Sequence, residues 1–266
     1  MLKEKQISIS VVVTNYNKDR KLTRCYLSII EQLEKDDELL IIDDCSTNLE
    51  SKNILDSINH KQLRIIENEE NMGVSFSKNK GVFLAKNDAI VLVDADDWLP
   101  NNSLSLIRKS FTENPHAWLI FGDYFRVSTI DESIVDCSFL YNANQKNLDQ
   151  HALAKDWLLL GVSPFRRSKC FSICSFDTRF NRTDDVDFHR RIITTPKFEA
   201  AYINSPIYVW DCQEEGNNSN IPNKDILFSQ LSGFLFYYKN LKGWSYIKFV
   251  IKLVVRFLIF NLSSKA

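Results

Sequence analysis

The sequence is poor in glycine and nearly balanced in charge, and each feature argues against a class of protein. Only seven of the 266 residues are glycine, and neither G-x-G-x-x-G nor G-x-x-x-x-G-K-[ST] occurs, so a glycine-rich phosphate loop is not expected. The formal net charge of −1 gives no reason to expect a nucleic acid as partner. Hydrophobic residues make up 44% of the chain, which is enough for a continuous core and argues against global disorder.

The chain also lacks the cysteine patterns of metal sites and disulfide scaffolds. Its six cysteines form no C-x-x-C pair and have no histidines at zinc spacing. We therefore expect all six to be reduced, in a cytoplasmic protein. A signal peptide is not expected, because the first apolar strand follows almost directly after Met1.

Patterns of strands and helices alternate along the first half of the chain, which indicates βαβ units and an α/β fold with a mostly parallel sheet. A polar segment then reads as an irregular insertion or lid, before a further helix and a late strand. The predicted strands are 7–13, 38–42, 63–66, 89–93, 118–125 and 203–210, and the helices are 20–33, 49–58, 74–85 and 103–111. The insertion is 127–150, and the segment 177–193 supplies a second acidic cluster and the helix that this cluster opens.

Polar residues follow three of the predicted strands, as Thr14-Asn15-Tyr16, Asp43-Asp44 and Asp94-Ala95-Asp96. The carboxyl ends of parallel strands meet at one edge of a sheet, where ligands bind in such folds. Aspartates crowded there repel one another unless a cation lies between them, so this edge is a candidate site for Mg²⁺ or Mn²⁺. An acidic pair that ends a strand is also compatible with a solvated turn.

Two residues of this edge have more than one interpretation. Asp44, together with Ser46, is suited to capping the next helix, but its carboxylate is equally suited to a base N–H or a ribose hydroxyl. Tyr16 fits either the core or a stacking position against a nucleobase.

A second acidic cluster, Thr183-Asp184-Asp185-Val186-Asp187, opens an amphipathic helix with a basic last turn. Acidic residues at the start and basic residues at the end complement the helix macrodipole. That accounts for the signs of the charges but not for three acidic residues out of four. His189 in the same helix is interpreted as a surface or packing residue rather than a ligand.

Together these segments resemble the inverting nucleotide-sugar glycosyltransferases of family two, which have the GT-A fold. The resemblance extends over about residues 7–210, with the segments in the family's order. They are Ile7-Ser-Ile-Ser-Val-Val-Val-Thr-Asn-Tyr-Asn-Lys18, Ile41-Ile-Asp-Asp-Cys-Ser-Thr47, Asn71-Met-Gly-Val-Ser-Phe-Ser-Lys-Asn-Lys-Gly81, Ile90-Val-Leu-Val-Asp-Ala-Asp-Asp-Trp98 and Ser175-Phe-Asp-Thr-Arg-Phe180, followed by Asp184-Asp185 and Arg191.

The resemblance implies a nucleotide-sugar donor site at the strand ends. Thr14, Tyr16 and Asp44 would hold the nucleoside, with Tyr16 stacked on the base, and Lys78 would contact the donor. The default nucleotide is uridine diphosphate.

The resemblance also implies the chemical groups of the reaction. Asp94 and Asp96 would form a D-x-D pair that binds Mn²⁺ or Mg²⁺, with Asp96 as the direct ligand. Asp185 falls at the position of the general base, and Asp184 replaces a frequent glutamate. Arg191 would steady either the base or the donor phosphates.

The implied activity is a non-processive, inverting sugar transfer to a hydroxyl of a glycan or lipid-linked acceptor, in a setting such as bacterial surface-polysaccharide synthesis. The Q-x-x-R-W segment of processive synthases is absent. No histidine follows Trp210, where many relatives place one that completes the metal shell, so Asp211 or water would take its place. The alternatives are a nucleotidyltransferase and a peripheral membrane protein that has a nucleotide-sugar pocket but no turnover.

We expect a GT-A domain over residues 1–222, with a donor half at 1–98 and an acceptor half at 99–222. A helical hairpin at 223–266 is expected to follow as a C-terminal appendage.

The second helix of that hairpin is apolar except for Lys248, Lys252 and Arg256, which form a narrow basic stripe. Three central basic residues make a membrane-spanning helix unfavourable. An interfacial helix on the inner face of the membrane is compatible with the pattern, and so is packing against the catalytic domain or in a homodimer through residues 244–262.

Overall fold

The computed structural model describes residues 6–130, 133–139, 163–179, 184–193 and 195–211. The expected boundary at residue 222 and the helical hairpin, with its membrane or dimer contact, lie outside these residues. Within the described part of the chain, no helix is long and apolar enough to cross a membrane.

The strands and helices alternate as the sequence predicts. The strands are β1 (Ile9–Asn15), β2 (Glu38–Asp43), β3 (Leu63–Glu67), β4 (Ala89–Asp94), β5 (Leu119–Ile130), β6 (Ser133–Phe139), β7 (Phe165–Arg166) and β8 (Ala200–Asp211). The helices are α1 (Arg20–Ile30), α2 (Leu49–Ser57), α3 (Val74–Leu84), α4 (Ser103–Glu113), α5 (Arg167–Cys170) and α6 (Asp184–Ile193).

The strands form one mixed sheet in the order β3-β2-β1-β4-β7-β5-β6, with β8 paired to β5. The pairs β1–β2, β1–β4, β2–β3 and β5–β8 are parallel. The short β7 is antiparallel to both β4 and β5, and β6 is antiparallel to β5. The predicted α/β fold with a mostly parallel sheet is thus confirmed.

The central strands are buried on both faces because their apolar runs are continuous. Alternate side chains of β1 enter different cores: Val11 and Val13 pack on one side of the sheet, and Val12 packs on the other. Helix α3 lies so close to β1 that a Cβ on Gly81 would be 2.2 Å from Val12 Cγ1. Glycine at this position therefore allows α3 to pack directly on the sheet.

One prediction about the second half of the chain is wrong. The start of the supposed irregular insertion is β-structure, because β5 continues to Ile130 and pairs with β6 in a hairpin. A terminal strand of a sheet, such as β6, does not need apolar side chains on both faces. The polar sequence of this segment therefore did not indicate a strand. Helix α6 covers Asp184–Ile193, so the second acidic cluster opens a helix as predicted, and the Asp177 carboxylate pairs with Arg179 in the preceding loop.

Candidate functional site

The polar ends of the three central strands lie side by side. In the register of the sheet, Thr14 of β1 is opposite Asp94 of β4, and Asn15 is opposite Asp43 of β2. The Thr14 hydroxyl donates to Asp94 Oδ1 over 3.1 Å. The predicted convergence of these strand ends is therefore confirmed. Thr14 contacts an aspartate of the D-x-D pair, and its contact with a nucleoside stays a prediction.

Strand β8 holds the turn that carries the D-x-D pair. Tyr208 Oη donates to Asp97 Oδ2 over 2.5 Å and accepts from the Asp94 backbone N–H over 3.3 Å. The Asp211 backbone N–H donates to Asp97 Oδ1 over 2.9 Å. Burial, and then the charges of Asp96 and Asp94, raise the pKa of Asp97 well above its usual range despite these hydrogen bonds.

Cations surround the same turn. Arg24 donates to the Asp96 carbonyl over 2.9 Å and to Asp211 Oδ2 over 2.8 Å, and its guanidinium lies 3.8 Å above the centre of the Trp98 ring. Lys18 Nζ lies 2.5 Å from Asp96 Oδ2. The buried Asp211 side chain also pairs with Lys21 over 3.3 Å, so the residue suggested to replace a histidine ligand is already paired with two cations.

The side chains of the D-x-D pair are compatible with a hard divalent cation. The side chains of Asp94 and Asp96 are 41% and 28% exposed, so their oxygens are accessible at the sheet edge. The negative charges of Asp94 and Asp96 help to raise the pKa of Asp97, which indicates that the carboxylates of this turn repel one another. A cation bound at the pair would relieve that repulsion. The described residues contain no group of three or more His, Cys, Asp or Glu suited to a metal. Mg²⁺ and Mn²⁺ usually need only one or two carboxylates beside phosphate and water, so the pair is sufficient.

The second acidic cluster is joined to the first by Lys78 of α3. Lys78 Nζ lies 3.0 Å from Asp184 Oδ2 and 3.9 Å from Asp94 Oδ1, and its side chain is only 5% exposed. Burial alone lowers the pKa of Lys78, but the charges of Asp184, Asp94 and Asp185 outweigh it and raise the pKa above its usual value. Lys78 thus contacts aspartates of both clusters, and its predicted donor contact is untested.

Asp185 is the second residue of α6, directly after Asp184, and is partly buried. Its Oδ1 accepts from the Val186 backbone N–H over 2.7 Å. Its backbone carbonyl accepts from His189 Nδ1 over 2.8 Å, so Nδ1 carries the proton. His189 is buried, which confirms the packing interpretation over the surface one. Burial, followed by repulsion from Lys78, lowers the pKa of His189 to about 4 despite its bond to Asp185.

Arg191 pairs with Asp187 of its own helix. Its Nη2 lies 2.7 Å from Asp187 Oδ2, one helical turn earlier, and donates to the Ser175 carbonyl over 2.7 Å. Positions four apart share a helix face, which explains this pair. A role of Arg191 in steadying Asp185 stays a prediction. A contact of Arg191 with donor phosphates stays a prediction.

Asp44 holds the loop in front of α3. Its carboxylate accepts from the backbone N–H groups of Met72 and Gly73 over 2.9 and 2.7 Å, and from Asn68 Nδ2 over 2.7 Å. The helix-capping alternative is wrong, because Asn48 caps α2. A contact between Asp44 and the base stays a prediction.

Tyr16, in contrast, is 44% exposed, so the alternative that it belongs to the core is wrong. Its ring is accessible for stacking beside the strand ends, and that role stays a prediction.

Sequence reasoning missed several residues that shape this site. Arg24, Lys18 and Tyr208 contact the D-x-D turn, but no local pattern marks them. Tyr208 lies 111 residues from its partner Asp97, so only the pairing of distant segments brings them together. Asp97 itself stands next to the pair, and its position directly after Asp96 was the available signal.

Comparisons with known proteins identify the family of this chain. The family model described as "Glycosyl transferase family 2" matches residues 10–151, more than half of the chain. A Streptococcus pneumoniae protein, "Glycosyltransferase GlyG", is 25% identical over 217 residues, which are 76% of this chain and 70% of that protein.

Two solved structures share the fold at low sequence identity. S. aureus TarS (1–349) in complex with UDP-GlcNAc has a TM-score of 0.72 at 16% identity, covering 94% of this chain and 72% of that chain. The mannosyltransferase PcManGT from Pyrobaculum calidifontis in complex with GDP-Man and Mn²⁺ has a TM-score of 0.61 at 14% identity, covering 92% and 68%. With the GT-A fold shared and the family model matched, the chain belongs to glycosyl transferase family 2 and is a glycosyltransferase.

Proposed function

We propose that the protein transfers a sugar from a uridine diphosphate donor to a hydroxyl group of a glycan or lipid-linked acceptor, with inversion and without processivity. The observation that carries the proposal is the ion-pair contact of Lys78 with Asp94 and Asp184. It brings the start of α6 to the carboxyl ends of the central strands, where ligands bind in α/β sheets. One site thus contains a donor edge and a candidate base.

The donor side of the site would be formed by the strand ends. The exposed ring of Tyr16 is suited to stacking on the base. Asp44 follows β2 on one side of β1, and Asp94 ends β4 on the other side. Strands β2 and β4 flank β1, so their ends lie about 10 Å apart across it. That TarS binds UDP-GlcNAc supports a uridine nucleotide here.

Asp94 and Asp96 would hold Mn²⁺ or Mg²⁺, and the complex of PcManGT with GDP-Man and Mn²⁺ supports this choice. When bound, such an ion stabilises negative charge on the departing diphosphate. Asp97 stays buried behind the pair, where Tyr208 fixes the turn.

Asp185 would act as the general base. The acceptor hydroxyl oxygen attacks the anomeric carbon and forms the new glycosidic bond while the bond from that carbon to the diphosphate oxygen breaks. The proton of the hydroxyl passes to the Asp185 carboxylate, and the bonding electrons leave with the diphosphate. Lys78 keeps Asp184 neutralised, so the adjacent Asp185 is the carboxylate of this turn that is left to take the proton.

The test is release of free nucleoside diphosphate from a panel of nucleotide sugars with Mn²⁺ and candidate acceptors. Asp185→Asn keeps the size of the side chain but cannot accept the proton, so the rate is expected to fall about 10²–10⁴-fold. Asp56→Asn, at an exposed position of α2, is the matched control and should keep the wild-type rate. Transfer by Asp185→Asn at the wild-type rate would exclude Asp185 as the base.

We place the reaction on the cytoplasmic side of a bacterial membrane, in surface-polysaccharide synthesis. A lipid-linked acceptor would be presented there, and the basic stripe of Lys248, Lys252 and Arg256, on the helix predicted from the sequence, would face anionic headgroups. Liposome binding by the full chain and by a chain that ends near residue 240 tests this. Equal binding by the two would reject membrane docking through that helix.

A further inference from the structure

Lys18 lies in the loop after β1 and reaches across to the D-x-D turn. Its Nζ is 2.5 Å from Asp96 Oδ2, and the side chains of Lys18 and Asp96 are 39% and 28% exposed. The contact joins residues 78 positions apart, so it depends on the pairing of β1 with β4. The ammonium group therefore lies directly on the carboxylate to which the proposed function assigns the metal.

The other cations of the turn have different partners. Arg24 donates to the backbone carbonyl of Asp96 and to Asp211, and Lys78 faces Asp94 and Asp184. In the part of the chain that the structure describes, Lys18 is thus the cation whose side chain pairs with the Asp96 carboxylate. A divalent ion and an ammonium group repel each other, so both are not expected on one oxygen of Asp96.

We propose that Lys18 is a built-in counter-ion of Asp96 that a divalent cation must displace, so that Lys18 limits the metal affinity of the nucleotide-free enzyme. The inference rests on the proposed assignment of Asp96 as metal ligand. The ion pair is partly exposed, and such pairs are weak enough to be exchanged for a stronger cation. The lysine neutralises the crowded carboxylates until metal and donor arrive.

The experiment is a titration of the nucleotide-free, full-length protein with Mn²⁺, read by the electron paramagnetic resonance signal of the free ion. Lys18→Met keeps the length of the side chain and removes its charge. We expect this variant to bind Mn²⁺ about one-and-a-half- to fivefold more tightly than wild type, the range that the loss of an exposed ion pair allows. Lys18→Arg keeps the charge and should stay near the wild-type affinity.

The matched control is Lys80→Met on α3, which changes the net charge equally but removes a lysine that bonds Asn68. Its Mn²⁺ affinity should equal that of wild type, which separates a local from a global charge effect. An unchanged or weaker affinity in Lys18→Met overturns the counter-ion role, and so does an equal gain in Lys80→Met.

Asp96→Asn separates this inference from the metal assignment. If Asp96→Asn abolishes Mn²⁺ binding while Lys18→Met equals wild type, the metal site stands and the counter-ion role is wrong. If Asp96→Asn binds Mn²⁺ like wild type, the metal assignment itself is wrong, and the counter-ion role falls with it. No detectable binding by either wild type or Lys18→Met also overturns the role. Thermal unfolding confirms that each variant is folded.

Discussion

Lys78 Nζ lies 3.0 Å from Asp184 Oδ2, and both side chains are almost completely buried, at 5% and 6% exposure. Lys78 belongs to α3 and Asp184 begins α6, so this pair fixes the start of one helix against another. The same ammonium group is 3.9 Å from Asp94 Oδ1 at the end of β4. One buried cation thus connects the two acidic clusters.

Removing Lys78 is expected to destabilise the protein strongly. Lys78→Met leaves the buried Asp184 carboxylate without its cation, which costs about 3–5 kcal/mol in the free energy of unfolding. Asp184→Asn should cost less, since Lys78 keeps Asp94 as a partner. Urea unfolding measures both variants and the double variant.

The matched control is the exposed pair Lys109–Glu113, whose side chains are 70% and 60% exposed. Lys109→Met should change the free energy of unfolding by less than about 0.5 kcal/mol. Equal losses in Lys78→Met and Lys109→Met would show that the buried pair contributes no more to the free energy of unfolding than the exposed pair.

Tyr208 is expected to position the D-x-D turn. Tyr208→Phe removes the donor to the buried Asp97 and the acceptor for the Asp94 N–H. We expect a loss of about 1–3 kcal/mol in stability. Mn²⁺-dependent binding of uridine diphosphate should also weaken several-fold, because the turn is no longer fixed, and ligand-observed NMR measures this.

Tyr202→Phe is the control for this experiment. It removes a comparable bond, 2.5 Å from Tyr202 Oη to Asp123 Oδ1, on another part of the sheet. Its stability should fall as well, with nucleotide binding unchanged. If both variants weaken nucleotide binding alike, Tyr208 has no specific positioning role.

The lowered pKa of the buried His189 predicts that the protein loses stability in mild acid. Its pKa is lowered to about 4 in the folded protein, from an ordinary value of 6.5, so the unfolded chain binds more protons between these values. The effect of His189 on the free energy of unfolding is therefore absent above its pKa in the unfolded chain. The free energy of unfolding falls as the pH drops from there towards the pKa of His189 in the folded protein. Between about pH 7 and about pH 5 this lowers the free energy of unfolding by about 2 kcal/mol.

Urea unfolding of wild type and His189→Gln at the two pH values tests this. The variant should lose about 2 kcal/mol less than wild type over the interval. His116→Gln, at an exposed histidine, should retain the full pH dependence of wild type. The same dependence in His189→Gln as in wild type would exclude His189 as its source.

Much of the fold followed from local patterns. Runs such as Val11-Val12-Val13 predict buried strands, because a strand covered on both faces needs apolar side chains at every position. The alternation of strands and helices then predicts parallel pairing, which places Thr14 beside Asp94. Strand β6 escaped prediction because a terminal strand can be polar and still pair through its backbone.

The sequence alone determined which carboxylates stand at strand ends and at the start of α6, since these positions follow from hydrophobic periodicity along a short stretch of chain. Only the tertiary structure decided which of them are neutralised and by what: Asp96 by Lys18, Asp184 by Lys78, and Asp187 by Arg191. The strength of a charge pair depends on distance and burial. In the first two pairs, segments far apart in the sequence set both quantities. In the third, where the partners share one helix, the packing of that helix sets the burial.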